Sequence, residues 1–265
     1  MEPRPHPAWV STSFRLTELL ASLDLSMDGA SEVEVDCLPA EHGGILGAQM
    51  LGQAVSACET ATPGKVVMKL SMNFLRPSRC TLPVRVARRH ISNGRRFAVV
   101  EVDFEQEGRL VARGEALLGP PSDHVDALDV DVDVEVAGTP TARALWPWEI
   151  LSPTDDPSAS AVWTRVPIRS LTPRASRSLL AYATEPLTVP LVIDRHGMRE
   201  RGGEIPQAVL SHSITFAAAF DARDWHLHQP EIVGQRGQIV TGRGAVLDRS
   251  GRCVATTETV ASVEL

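Results

Sequence analysis

"GRLVARGE" spans Gly108–Glu115, and "GRCVATTE" spans Gly251–Glu258. The second stretch begins at a spacing of 143 from the first, and each runs into an apolar end, "ALLG" after the first and "TVASV" after the second. Upstream, "KLSMNFLRP" (Lys69–Pro77) is echoed by "LSHSITFAAAF" (Leu210–Phe220), and matching Phe74 to Phe216 gives a spacing of 142. Two spacings that agree so closely mark one unit encoded twice. Between these anchors both halves alternate apolar and polar residues: "PVRVARRHI" and "RFAVVEVDFEQEG" in the first, "WHLHQPEIV" and "GQIVTGRGAVLDRSG" in the second. A period of two is that of strands with one buried face. "QEG" and "RSG" stand where tight turns would join antiparallel neighbours. About four antiparallel strands are expected in each half.

One helix is expected ahead of each set of strands. The first is "GGILGAQMLGQAVSACET" (Gly43–Thr60), with Ile45, Leu46, Met50, Leu51 and Val55 on a broad apolar face and Ala48, Gly52 and Ala54 on a narrow one. So much Gly and Ala predicts a helix gripped on several sides. The second is "RASRSLLAYAT" (Arg174–Thr184), closed by Pro186. A long helix before a curved antiparallel sheet, twice over, predicts an α+β fold of two helix-wrapped sheets. The units are expected at residues 12–120 and 148–265, with a Pro-rich, acidic linker at 121–147. In that linker Asp129, Asp131, Asp133 and Glu135 would share one face of a strand, opposite Val130, Val132, Val134 and Val136. Such a run reads as a solvated edge.

The bulk properties exclude several classes. Of 265 residues, 43% are hydrophobic and 22% charged, as in soluble globular chains. No run of about 18 uncharged apolar residues suggests a membrane span, and the N-terminus lacks a secretory pattern, so a cytoplasmic location is expected. A net charge of −7 argues against nucleic acid as a partner. Cys37, Cys58, Cys80 and Cys253 lack metal-binding spacing and read as buried free thiols; no metal is expected. "ARRHISNGRR" (Ala87–Arg96) is locally basic. It is either a solvated hairpin or a phosphate contact, through Arg95 and Arg96, for a nucleotide-bearing substrate such as coenzyme A.

Taken together, "HGGILGAQMLGQA", "MNFLRP", "NGRRFAVVEVDFEQEGRLVARGEALLG" and "SHSITFAAAFDARDW" resemble the acyl-CoA thioesterase II family. The resemblance runs from about residue 12 to 265 in family order. It implies a double hotdog fold, in which two helix-and-sheet units are fused in one chain. It also implies a substrate whose acyl group is held as a thioester on coenzyme A or on the phosphopantetheine of a carrier protein. No separate cofactor is implied. Exposed sheet edges in such folds pair between chains, so a homo-oligomer is expected.

A helix N-terminus presents unpaired amides and a positive dipole end, suited to polarise a thioester carbonyl. "EHGG" (Glu41–Gly44) is expected at that start, with Gly43 and Gly44 as amide donors and His42 either a ligand contact or a cap. Gln49 on the same helix joins this substrate-binding set. Attack by water then needs a base and orienting groups. The family places an Asp after the second helix, a Thr or Ser on the next strand, and a Gln on the last strand. Here these positions fall on Glu185, Val209 and Thr259. A carboxylate is kept, while Val209 lacks the hydroxyl and Thr259 replaces an amide. Ser211, two residues past Val209, would share its face in a regular strand. Glu185, Ser211 and Thr259 are therefore the expected catalytic set, with Val209 lining the substrate site. His212 should point away from Ser211 and reads as structural. Trp146 and Trp148 read as core or as the wall of an acyl channel, and His226 and His228 share one strand face.

Hydrolysis of acyl thioesters, in lipid or polyketide metabolism, is the leading expectation. Addition of water or an amine to an α,β-unsaturated acyl thioester, or acyl-thioester binding without catalysis, are the alternatives.

Overall fold

The computed structural model describes residues 14–27, 29–40, 43–121, 134–143, 145–153, 161–197 and 207–264. The first half carries helices α1 (Leu16–Leu23) and α2 (Gly47–Ala61) and strands β1 (Glu32–Val35), β2 (Val66–Phe74), β3 (Val84–Asn93), β4 (Ala98–Gln106) and β5 (Arg109–Gly119). The second carries β6 (Thr139–Pro140), β7 (Glu149–Ser152), β8 (Val162–Arg165), α3 (Pro173–Thr184), α4 (Thr188–Arg195), β9 (Gln207–Phe216), β10 (His226–Arg236), β11 (Ile239–Leu247) and β12 (Cys253–Val263). The strand count per half thus exceeds the expected four. The extra strands are short edge pieces with no long alternation to reveal them. β6 lies within the stretch expected as a linker, while Asp129, Asp131 and Asp133 lie outside the described residues.

The twelve strands of the described residues join one antiparallel sheet, ordered β1-β3-β4-β5-β2-β9-β12-β11-β10-β8-β7-β6. The halves meet at β2 and β9, where Ser71 pairs with Ser213. The numbers of these two serines differ by the repeat spacing itself. Each is the other's counterpart, so the pseudo-two-fold axis passes between them. Bulges repeat too. The residues left without a partner are Met68, Ile91 and Val111 in the first half and Leu210, Val233 and Val254 in the second. Each pair keeps the repeat spacing of 142 or 143. A bulge needs a specific backbone kink, so three shared ones carry the duplication from sequence into geometry.

Helix α2 starts at Gly47, four residues later than the expected start at Gly43. Its residues from Ala48 to Glu59 are all buried. The sheet covers one side, and α1 and α3 cover the other. Gly52 marks the crossing: a Cβ there would lie 2.7 Å from Leu23 and 2.9 Å from the Ser178 carbonyl. A bidentate ion pair, Arg177 to Glu59 at 2.6 and 2.8 Å, joins α3 to α2. The Glu59 carboxylate also accepts from the Val67 amide, so the pair is well satisfied.

Thr172 caps α3 by accepting from the Ala175 amide, with Pro173 in the first turn. Pro186 lacks an N–H and breaks the helix. A 3-10 turn over Glu185–Leu187 follows, and α4 continues beyond it. Cys58 is a buried thiol in α2, whose burial pushes its pKa up to about 12. Among the described residues no helix is long and apolar enough to cross a membrane.

Candidate functional site

The break after α3 turns Glu185 back toward the start of α2. Its carboxylate accepts a hydrogen bond from the Ala48 amide, in the first turn of α2. The N-cap residue, Leu46, offers no side-chain cap, and the Glu185 carboxylate meets the positive end of the dipole in its place. Gly47 makes the approach possible. A Cβ there would lie 2.6 Å from a Glu185 oxygen and 3.1 Å from Phe74. Burial outweighs the single amide bond and pushes the Glu185 pKa up to about 7. The residue is 8% exposed, and among the described residues no cation pairs with it.

Beside it lies a buried polar chain. Thr184 Oγ1 bonds to His212 Nε2 at 3.1 Å, and His212 Nδ1 bonds to Thr259 Oγ1 at 2.9 Å. Thr184 Oγ1 also donates to the Ala181 carbonyl at 3.1 Å. His212 is fully buried, which drives its pKa down to about 3 and holds the ring neutral. His212 and Thr259 are cross-strand neighbours on the helix-facing side of the sheet. Helix α4 rests on the same sheet at Gly242, the cross-strand partner of Thr259. A Cβ at Gly242 would lie 2.5 Å from the Thr188 methyl.

The expected set is brought together only in part. Glu185 and Thr259 reach one region, linked through Thr184 and His212. Ser211 does not join them: it neighbours inward-facing His212 and pairs with Val260 and Asn73, so it points to the outer face. The expectation failed because Leu210 is a bulge, and a bulge resets the two-residue alternation between Val209 and Ser211. Val209 instead packs against Val189, Val192 and Ile193 around α4.

Gly43 and Gly44 stand before α2 rather than on it. The Gly43 amide donates to the Ala40 carbonyl, and its own carbonyl accepts from Cys80. His42 lies outside the described residues. Gln49 is fully buried and holds the backbone of Asp36 and Leu38. Arg95 and Arg96 lie in the exposed β3–β4 turn, level with the C-terminal end of α2. The 15-residue helix separates them from Glu185 by about 20 Å. Sequence reasoning missed Gly47, Thr184 and the inward role of His212. The alternation around His212 carried part of that signal.

Family models match both halves: "Acyl-CoA thioesterase N-terminal domain" over residues 38–119 and "Acyl-CoA thioesterase C-terminal domain" over residues 130–263. Among solved structures, the acyl-CoA thioesterase II TesB2 from Mycobacterium marinum superposes with a TM-score of 0.74 at 19% identity, covering 93% of this chain and 97% of that one. The tesB protein of Mycobacterium avium subs paratuberculosis gives 0.73 at 19% identity, covering 94% and 100%. A conserved hot dog-fold protein of unknown function from Alicyclobacillus acidocaldarius gives 0.70 at 19% identity, covering 94% and 98%. No curated protein matches in sequence. At these identities the structures speak for the double hotdog fold alone.

Proposed function

The chain belongs to the acyl-CoA thioesterase family, and on that premise we propose that it hydrolyses acyl thioesters at the junction of its two halves, with Glu185 as general base. The observation that carries the reading is a buried carboxylate at a helix N-terminus with a pKa of about 7. A base with that pKa is well matched to neutral water chemistry. Ionised Glu185 takes a proton from water. The hydroxide oxygen bonds to the thioester carbon, and the carbonyl electron pair moves to oxygen beside the first turn of α2. Collapse breaks the C–S bond. The thiolate leaves with the proton held by Glu185, giving a carboxylic acid and a thiol. Thr259 and His212 orient the site, while Gly47 holds open the space the carboxylate occupies.

Coenzyme A or a carrier-bound phosphopantetheine is the thiol half of the substrate in this reading, and the protein acts in the cytoplasm as a homo-oligomer. The test is thiol release across saturated and 2-unsaturated acyl-CoAs, with Glu185→Gln alongside. Release that falls at least tenfold in the variant supports the reading. Consumption of enoyl thioesters without thiol release would replace hydrolysis with addition. Neither reaction, with acyl-CoA still raising the melting temperature, would leave a binding protein.

A further inference from the structure

A small cavity lies between α3 and the outer strands of the second half. It leaves about 20 Å³ for the centre of a water-sized group, room for about one such group. Trp148, Thr164, Ala183, Phe220, His226 and His228 are among the residues lining it. Most of this wall is apolar, yet Trp148 Nε1 and His228 Nδ1 are buried without a hydrogen-bond partner among the described residues. Trp148 is 3% exposed and His228 is 1% exposed. Buried groups of this kind are usually satisfied, and leaving each unpaired costs free energy. Two on the wall of one cavity point to a polar group that enters it.

The ring's other nitrogen is committed: His228 Nε2 bonds to Thr164 Oγ1 at 3.1 Å. Burial holds the imidazole neutral, with a pKa of about 3. One nitrogen of a neutral imidazole donates and the other accepts, so Nδ1 takes whichever role Thr164 leaves to it. The indole N–H only donates. Around one oxygen atom, that combination suits a hydroxyl or a ketone. Among the described residues no Lys or Arg lines the cavity, so a carboxylate would be a buried charge without a partner there.

The cavity adjoins the reacting region. Ala183 lies in its wall and precedes Glu185 by two residues. Ala183, Ala48 and Trp148 belong to one buried cluster, and Ala48 donates the amide held by Glu185. Ala183 thus ties the cavity wall to the turn that carries Glu185.

We propose that this cavity is a subsite of the acyl site and selects thioesters whose chain carries a neutral oxygen, a hydroxyl or a keto group, over plain alkyl chains of equal length. The inference rests on the acyl-thioester reading above and names its substrate class. A site built to bond an oxygen discriminates against an analogue that lacks it.

The experiment compares saturated acyl-CoAs with hydroxy- and ketoacyl-CoAs of matched length, by thiol release and by calorimetric binding of the non-hydrolysable thioether analogues. The expected result is at least about tenfold preference for the oxygenated member. His228→Phe and Trp148→Phe should each reduce that preference toward parity, and either folded variant suffices. Glu185→Gln should keep the binding preference while losing turnover. Equal use of plain and oxygenated chains, or a preference unchanged in both variants, overturns the proposal and leaves the cavity to a structural water. Binding preference without thiol release from any thioester would support the cavity and remove the hydrolytic reading.

Discussion

At His212 the second sheet buries an imidazole where the first sheet, at the equivalent position of the repeat, buries Leu70. The pattern continues across the inward face. His226 and His228 stand where the first half has Val84 and Val86, and Thr259 stands where it has Ala116. Gly242 replaces Val100 and makes room for Thr188. At these positions one copy of the unit keeps apolar side chains. The other carries polar groups, their partners and the space between them. The difference teaches where this duplicated fold accommodates polar side chains: on the inner face of the second half, where His212 and Thr259 are bonded to one another and His228 keeps one ring nitrogen bonded and one without a partner among the described residues. The first half is still needed, because α2 supplies the amide that Glu185 meets.

The largest expected effect is at Glu185. Glu185→Gln should lower kcat/KM for thiol release by about a hundredfold or more, since an amide cannot take the proton from water. In the wild type, kcat/KM should climb about tenfold per pH unit below about 7 and level off above it, because the ionised form is the base. A flat profile between pH 6 and 8 would remove Glu185 from that role. Stability provides a second sign. The folded carboxyl titrates near 7 against 4.5 for the free group, so the native state binds its proton more tightly than the unfolded chain. Wild-type stability should therefore fall as pH rises from about 4.5 to 7, by up to about 3 kcal/mol, and then stay level. Glu185→Gln should lack that fall and be the more stable protein at pH 8 by denaturant titration.

Gly47→Ala comes next. In an open helix the change would stabilise. Here the new methyl would occupy space taken by the Glu185 carboxylate. Turnover should drop at least about tenfold while the fold persists, because a misplaced base loses its geometry. Unchanged turnover would show that the carboxylate can act from elsewhere.

Exchanging equivalents sharpens the contrast between halves. Leu70→His places an imidazole among apolar neighbours, opposite Ile214 and Ala116. It should cost roughly 2–4 kcal/mol of stability. His212→Leu removes the partner of Thr184 and Thr259, but Thr184 keeps its bond to the Ala181 carbonyl. That change should cost about 1–2 kcal/mol and slow thiol release less than Glu185→Gln does. If both exchanges proved equally mild, the two cores would not differ as described.

How far the sequence revealed this follows from the range of each signal. The repeat, the inward alternation and the turn at Glu107–Gly108 are local patterns, and the duplicated helix-and-sheet units were legible from them. Glu185 was reached through the family resemblance, which places a carboxylate after the second helix, and Pro186 marks where that helix ends. Ser211 was misplaced because one bulged residue, Leu210, reverses which side of β9 faces the helices. A bulge is a cross-strand property with no local mark in "AVLSHS". The start of α2 was placed four residues early because "GGIL" is as apolar as the helix itself. Gly47 was overlooked for a related reason: its role depends on Glu185, far away in the chain.

The smallest effect concerns the outer face, where the halves agree instead of differing. Met68 and Leu210, Ile91 and Val233, and Phe97 and Ile239 are three pairs spaced by 142, and all six residues are 37–57% exposed. Met68 and Phe97 approach one another over Gly119, where a Cβ would meet both. Four of the six are bulge residues, so the kinks that shape the sheet also turn apolar groups outward. A duplicated apolar stripe on each side of the pseudo-two-fold is suited to a second copy of the same chain. Replacing Ile91 and Val233 together by Lys should shift the sedimenting species toward single-chain mass and change thiol release less than about twofold, because neither residue approaches Glu185. A wild type that already sediments as one chain would end the self-association reading and leave the inner-face contrast untouched.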